Sequence, residues 1–169
     1  YRQNSDFFYL TGFEEPESVL LLLGTSDGPR SVMFLRDRNP ENERWVGERL
    51  GLKRARRKFQ LDEVRDISSF ECDFPKLING ARTLHYAAGT HPNIDQLVWK
   101  TFQTQVGPRT TLPVGVADAR LITGEMRSVK DRREIQLTKH AAEITAYGFG
   151  KIAANLKSLT SEAHAARVL

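Results

Sequence analysis

Apolar residues recur along the first hundred positions with two different periods. Val19 to Leu23 is an unbroken aliphatic run between Ser18 and Gly24. A short continuous run closed by turn residues predicts a strand, here one buried on both faces. Asp27-Gly28-Pro29 follows as a hairpin-type turn. Ser31-Val32-Met33-Phe34-Leu35 is then a second strand, paired antiparallel with the first. Val64 to Ile67 and Thr83 to Ala87 read as further short strands. At the start of the chain, Phe7-Phe8-Tyr9-Leu10 stops at Thr11-Gly12 and reads as a short buried turn of helix or strand. Glu14-Glu15-Pro16-Glu17 is a surface turn.

Helical spacing takes over between these strands. Lys53 to Phe59 reads as a short basic helix with Ala55 and Phe59 four apart on its inner side. Phe70 to Ile78 is a helix closed by Asn79-Gly80. Ile94, Leu97, Val98 and Phe102 mark an amphipathic helix from Pro92 to Val106, with proline well placed at its first position. Arg36 to Leu52 is polar, with Trp45 and Leu50 embedded in it. Gly107 to Gly124, with Pro108, Pro113 and Gly115, reads as irregular and marks a domain boundary. Beyond it, Asp131-Arg132-Arg133-Glu134 is an Asp-led capping box. It opens a long helix ending near Leu156, with Ile135, Ala142, Phe149, Ile152 and Leu156 on one face and Leu137, Ala141 and Ile144 widening it. Ser158-Leu159-Thr160 is a turn, and Ser161 to Leu169 begins another helix. Strands alternating with helices predict an α/β domain with a mixed sheet over residues 1–124, followed over 125–169 by the first helices of something else.

Composition narrows the class. Apolar residues make up 40% and charged residues 27% of the 169, too apolar for a disordered chain. A mean hydropathy of −0.45 is too polar for a membrane bundle. The five-residue aliphatic run falls far short of the roughly 20 residues a bilayer requires. The polar start, Tyr1 to Asp6, has no apolar core of a signal peptide. A single cysteine, Cys72, excludes an internal disulfide and makes a reducing cytoplasm the expectation. A chain that starts at Tyr1 and stops within a helix-like stretch reads as a fragment. The formal charge is +4, and much of the excess lies in Lys53-Arg54-Ala55-Arg56-Arg57-Lys58. No aromatic residue interleaves that run, so it reads as a solvated helix face and not as a nucleic-acid patch.

Candidate chemistry is sparse. His85, His91, His140 and His164 form no H-E-x-x-H and no short-spaced pair. Gly148-Phe149-Gly150 sits in a helical pattern without the strand context of a phosphate loop, and no G-x-S-x-G elbow is present. Cys72 lies between two acidic residues, Glu71 and Asp73, surroundings that do not favour a thiolate nucleophile. Glu14, Glu15 and Glu17 have no partner base. No self-contained active site emerges. Two residues stand out. Trp45, in Glu43-Arg44-Trp45-Val46-Gly47-Glu48-Arg49-Leu50-Gly51, either plugs the core from a loop or is an exposed contact residue. Arg109, in Gly107-Pro108-Arg109-Thr110, is either solvated or a bidentate clamp for a carboxylate.

The order of motifs adds a resemblance. The first seventeen residues, Tyr1 to Glu17, closely resemble the Y-R-Q-N-S-D-F-x-Y-x-T-G-F-x-E-P-E signature of aminopeptidase P, the Xaa-Pro aminopeptidases. Glu43 to Gly51 is similar to that family's E-x-W-x-G-x-R-L-G. Glu125-Met126-Arg127-Ser128-Val129-Lys130 resembles its E-M-R-x-x-K, and Glu134-Ile135 with Ala141 to Thr145 the start of its catalytic domain.

The resemblance implies an RNase H-like creatinase/prolidase N-terminal domain over 1–124, with its first strand missing ahead of Tyr1. It implies the first helices of a pita-bread catalytic domain over 125–169. It also implies release of the N-terminal residue ahead of proline, by two divalent metal ions, usually manganese, that activate a bridging water. Their ligands are two Asp, one His and two Glu of the pita-bread domain. None of those motifs occurs in these 169 residues, so this segment alone is expected to bind no metal and to be inactive. The implied partners are proline-containing peptides and further copies of the chain in a dimer or tetramer, with no nucleic acid and no membrane. Trp45 would supply an apolar wall for substrate, and Arg109 would hold the peptide beyond the proline. Two other readings stay open: a non-catalytic protein-interaction module of the pita-bread superfamily, and a prolidase that cleaves dipeptides.

Overall fold

The structure, a computed structural model, describes residues 1–104 and 111–168. They fall into two compact units, Tyr1–Thr123 and Gly124–Leu169.

In the first unit, helix α1 (Ser5–Thr11) leads to β1 (Val19–Thr25) and β2 (Gly28–Leu35). These strands pair antiparallel, from Val19 opposite Phe34 to Thr25 opposite Gly28. Gly28 has φ +117°, a conformation that favours glycine at the tight reversal. Helices α2 (Pro40–Val46) and α3 (Leu52–Phe59) follow, then β3 (Glu63–Asp66), parallel to β2. A 3-10 turn (Ile67–Ser69) enters α4 (Phe70–Ile78). Strand β4 (Thr83–Tyr86), α5 (Pro92–Thr104) and β5 (Gly115–Asp118) follow, with β4 and β5 parallel, and α6 (Ala119–Ser128) runs across the division between the units at Thr123. Among the described residues the strands form a mixed sheet β1-β2-β3 and a pair β4-β5.

Strand β2 runs through the middle, and both of its faces are covered. Val32 and Phe34 enter one cluster with Phe70, Phe74 and Ile78 of α4, Leu84 of β4 and Val98 of α5. Met33 and Leu35 enter a second cluster with Phe13 and Ala55. The strict alternation follows from the two-residue period of a strand. Phe34 packs edge-on against Phe70, with ring centroids 5.0 Å apart.

Several expectations need correction. The strand buried on both faces is β2, not β1. Val19, Leu21 and Leu23 pack against the first cluster and Leu20 against the second, but Leu22 is 64% exposed. Strand β1 has a neighbour on one side only among the described residues, and its aliphatic run extends past the cover of its second face. Phe7 to Leu10 belongs to helix α1, which contains no buried residue, because the Asn4 cap and the Gly12 reversal set this helix locally. The stretch from 107 to 124 is not uniformly irregular. Residues 105–110 lie outside the described ones, while Gly115–Asp118 is a strand and Ala119–Ser128 a helix. A four-residue strand shows too little periodicity to be seen beside Pro113 and Gly115. Its position comes from backbone pairing with β4. Helix α2, within the polar stretch, was also not apparent from the pattern.

In the second unit, α7 (Arg132–Asn155) leads through a 3-10 turn (Leu156–Ser158) to α8 (Glu162–Val168). The expected capping box is present. The Asp131 side chain accepts from the Glu134 backbone N–H, and the Glu134 carboxylate accepts from the Asp131 backbone N–H, both at 2.8 Å. No residue of α7 is buried, and Ile135, Leu137, Ile144, Phe149 and Leu156 stand exposed. Among the described residues no helix is long and apolar enough to cross a membrane.

The start of α3 depends on a close approach. Gly51 has φ +73°, and a Cβ there would lie 2.7 Å from Cγ of Arg38 and 3.1 Å from Oδ1 of Asp37. That Asp37 oxygen accepts from the Leu52 and Arg38 backbone N–H groups, at 3.2 and 2.8 Å. Gly51→Ala is expected to cost about 1–3 kcal/mol of stability, from the strained left-handed backbone and displacement of Arg38. Phe34→Ala, which opens a void against Phe70, is expected to cost about 3–5 kcal/mol. Urea unfolding monitored by circular dichroism checks both.

Candidate functional site

The aromatic-rich opening folds into a clamp. The Asn4 side-chain oxygen accepts from the backbone N–H groups of Asp6 and Phe7, both at 3.0 Å, and so caps α1. Thr11 Oγ1 donates to the Phe7 carbonyl at 2.7 Å and accepts from the Phe13 N–H at 3.0 Å. Gly12, at φ +64°, turns the chain out of the helix. Phe13 is thereby driven into the second cluster, where its ring meets Phe59 edge-on at 5.7 Å. Gln3 Nε2 donates to the Glu15 carbonyl at 3.0 Å, and Glu15 Oε1 accepts from the Leu50 N–H at 2.7 Å. The first signature is thus fastened to the second, and its polar residues are occupied with structure.

Trp45 lies on α2, seven residues long, and is 89% exposed. The core-plug reading is therefore excluded. Asn39 starts the helix, its side-chain oxygen accepting from the Glu41 N–H at 3.1 Å. Glu43 holds it. Its carboxylate takes the planar fork of Arg38, from Nε at 3.2 Å and Nη2 at 2.9 Å, although its side chain is only 9% exposed. The Arg38 hydrogen bond, followed by backbone hydrogen bonding at Arg49 and Asn39, holds the Glu43 carboxyl below the usual carboxylate range against the opposing effect of desolvation. Arg38 also lies 3.6 Å from Glu48, which pairs with Arg54 at 2.8 Å.

Beside this platform is an open groove of about 380 Å³ between the Gly12–Glu15 segment, the 48–50 turn and α3. Phe13, Leu50 and Phe59 contribute apolar surface, and the cations Arg49, Arg54 and Lys58 are matched by the carboxylates Glu14, Glu15 and Glu48. Trp45 does not line it. Arg109 lies outside the described residues, so the two candidate site residues are not brought together here.

Other titratable groups serve the fold. Arg65 bridges β3 to α4 through Asp73 at 2.7 Å and holds that carboxyl below its usual range. Cys72 is exposed and free. His140 lies 3.8 Å from Glu143 on an exposed face of α7. Among the described residues no group of three or more His, Cys, Asp or Glu side chains is arranged to hold a metal ion. These residues do not fit a paired-metal centre, and no metal-dependent step is derived from them.

Arg38 and Asp37 were not singled out by the sequence, and Glu43 and Gly51 stood there only as motif positions with no role. A usable signal was present: a carboxylate two residues before a tryptophan, in a stretch punctuated by Gly47 and Gly51. It was masked by the density of charge from Arg36 to Arg49.

Comparison with known proteins places this arrangement. Residues 1–86 match the aminopeptidase P N-terminal domain. The Xaa-Pro aminopeptidase of Haemophilus influenzae is 37% identical over 148 residues, 88% of this chain and 33% of that protein. The Xaa-Pro aminopeptidase of Escherichia coli K12 is 38% identical over 150 residues, 86% of this chain and 34% of that protein. A solved structure of zinc-substituted E. coli aminopeptidase P in complex with product is similar with a TM-score of 0.84 at 36% identity, covering 89% of this chain and 35% of that one. The chain spans about a third of the length of these relatives. With its opening signature folded into a clamp and residues 1–86 matching the N-terminal domain, the chain belongs to the aminopeptidase P family.

Proposed function

We propose that this chain is the N-terminal portion of a metal-dependent Xaa-Pro aminopeptidase, which releases the N-terminal residue of a peptide ahead of proline. Its part is to close the substrate cleft and to join subunits of a homo-oligomer, with Trp45 as an apolar wall. The reaction centre, with two divalent cations that are manganese in this reading, belongs to sequence outside these 169 residues. A cytoplasmic setting is part of the same proposal, in keeping with the lone free cysteine.

The observation that carries the reading is the exposure of Trp45 on a braced mount. Leaving an indole in water forgoes the burial that large aromatics otherwise contribute. Contact surfaces are enriched in tryptophan because it offers a large, stiff apolar face. That face suits a pyrrolidine ring or an apolar side chain. The relatives support the substrate class, since their names specify Xaa-Pro aminopeptidases. Arg109 is proposed to bind the peptide beyond the proline, where its planar fork matches a carboxylate or carbonyl oxygen.

In the full-length protein, Trp45→Ala is expected to lower kcat/KM for an Xaa-Pro-Yaa tripeptide about tenfold, equivalent to about 1.4 kcal/mol, while the melting temperature stays unchanged. Steady-state kinetics beside a thermal melt check this, and unchanged kinetics would remove the wall role. Arg109→Lys is expected to weaken turnover of longer peptides, because lysine presents no planar fork. Equal kinetics for mutant and wild type on a series of increasing peptide length would refute it.

A further inference from the structure

Helix α2 is too short to fix its own orientation. Isolated helices below about 12–15 residues are marginal in water, and α2 has seven. Its direction therefore rests on tethers to the rest of the unit. Successive helical residues advance by about 100°, so Glu43 and Trp45 point to nearly opposite sides. Glu43 is on the inward side at 9% exposure, and Trp45 on the outward side at 89%. Glu43 accepts from two of the three nitrogens of one guanidinium, Nε and Nη2 of Arg38. The Arg38 backbone N–H donates to Asp37 Oδ1 at 2.8 Å, its stem runs past Gly51 where a Cβ would lie 2.7 Å from its Cγ, and its head is 46% exposed.

We propose that Glu43, clamped by Arg38, is a positioning residue for Trp45, setting the angle at which the indole is presented to the substrate. This rests on the reading of Trp45 as a substrate wall and extends it to a residue that does not touch the ligand. The physical cause is the cost of stranding a nearly buried carboxylate. Without the Arg38 fork, the Glu43 carboxylate gains by turning toward water. A seven-residue helix with a solvated outer face turns with it and carries Trp45 off its line. Neither Glu43 nor Arg38 carries out chemistry, so their removal acts on the reaction only through the indole.

That separates this role from general support of the fold. The test is a double-mutant cycle in the full-length protein, with an Xaa-Pro-Yaa tripeptide and thermal melts alongside. Glu43→Gln is expected to reproduce the kinetic signature of Trp45→Ala, with the same division between KM and kcat and a loss in kcat/KM of several-fold. In the Trp45→Ala background the same substitution is expected to cost less than about twofold, because the wall it positions is already gone. Equal loss in both backgrounds would overturn the inference, as would a normal Glu43→Gln enzyme beside an impaired Trp45→Ala enzyme. Normal kinetics in Trp45→Ala itself would remove the substrate-wall reading and this inference together. If Glu43→Gln does not fold, Arg38→Gln opens the same fork from its solvent side and is read by the same two outcomes.

Discussion

The burial of β2 on both faces is the constraint on which the first unit depends. Val32 and Phe34 point one way and Met33 and Leu35 the other, and all four are fully buried. This strand must therefore have a complete layer on either side. One layer is α4 with α5. The other is the opening segment with α3, through Phe13 and Ala55. Each fully buried side chain of this size contributes about 1.5–3 kcal/mol relative to exposure, so neither layer is dispensable. The signature segment thus has a structural reason to be aromatic. Phe13 fills the second layer, and the polar residues around it fix the backbone that delivers it.

The same layer carries the candidate site. Leu35 ends β2 in the second cluster, and the chain then passes through Asp37 and Arg38 into α2. Asp37 bonds the start of α3, Arg38 bonds Glu43, and Gly51 admits both. Three short connections meet here, and the helix they hold carries the exposed indole of Trp45. The arrangement joins the core of the sheet to a single side chain in solvent through charge-assisted hydrogen bonds, which are directional where apolar packing is not. The position of Trp45 is in this way set by polar geometry on a hydrophobic foundation.

Much of the fold was legible because it rests on short-range pattern. The β1-β2 hairpin, α3 with Ala55 and Phe59 inward, α4 up to Ile78, and the Asp131 box each have their causes within a dozen residues. What was not legible depends on distant partners. Strand β5 is defined by hydrogen bonds to β4, about thirty residues earlier. The exposure of Leu22 reflects where a neighbouring layer ends. Helix α2 was hidden because its anchoring residue is charged, and a charged residue in a polar stretch reads as solvated. Glu43 is the exception to that rule: its place two residues before Trp45 singles it out in the sequence, but only Arg38 beside it shows that it faces inward. For the site, the motif pointed to Trp45, but pattern alone left both a buried plug and an exposed contact open. Only the three-dimensional exposure separates them.

The capping box makes the start of α7 independent of the rest of the fold. Asp131 and Glu134 satisfy each other's backbone donors within four residues, so the helix start is fixed by the sequence that immediately follows it. At 24 residues, α7 exceeds the length at which helices become marginal in isolation. A local cap and this length together favour a helix that holds its register without tertiary cover. Along a rod about 36 Å long, Ile135 and Phe149 fall within about 40° of each other and Ile144 about 180° from Ile135, so the exposed apolar residues spread over roughly half of its circumference instead of forming a narrow seam.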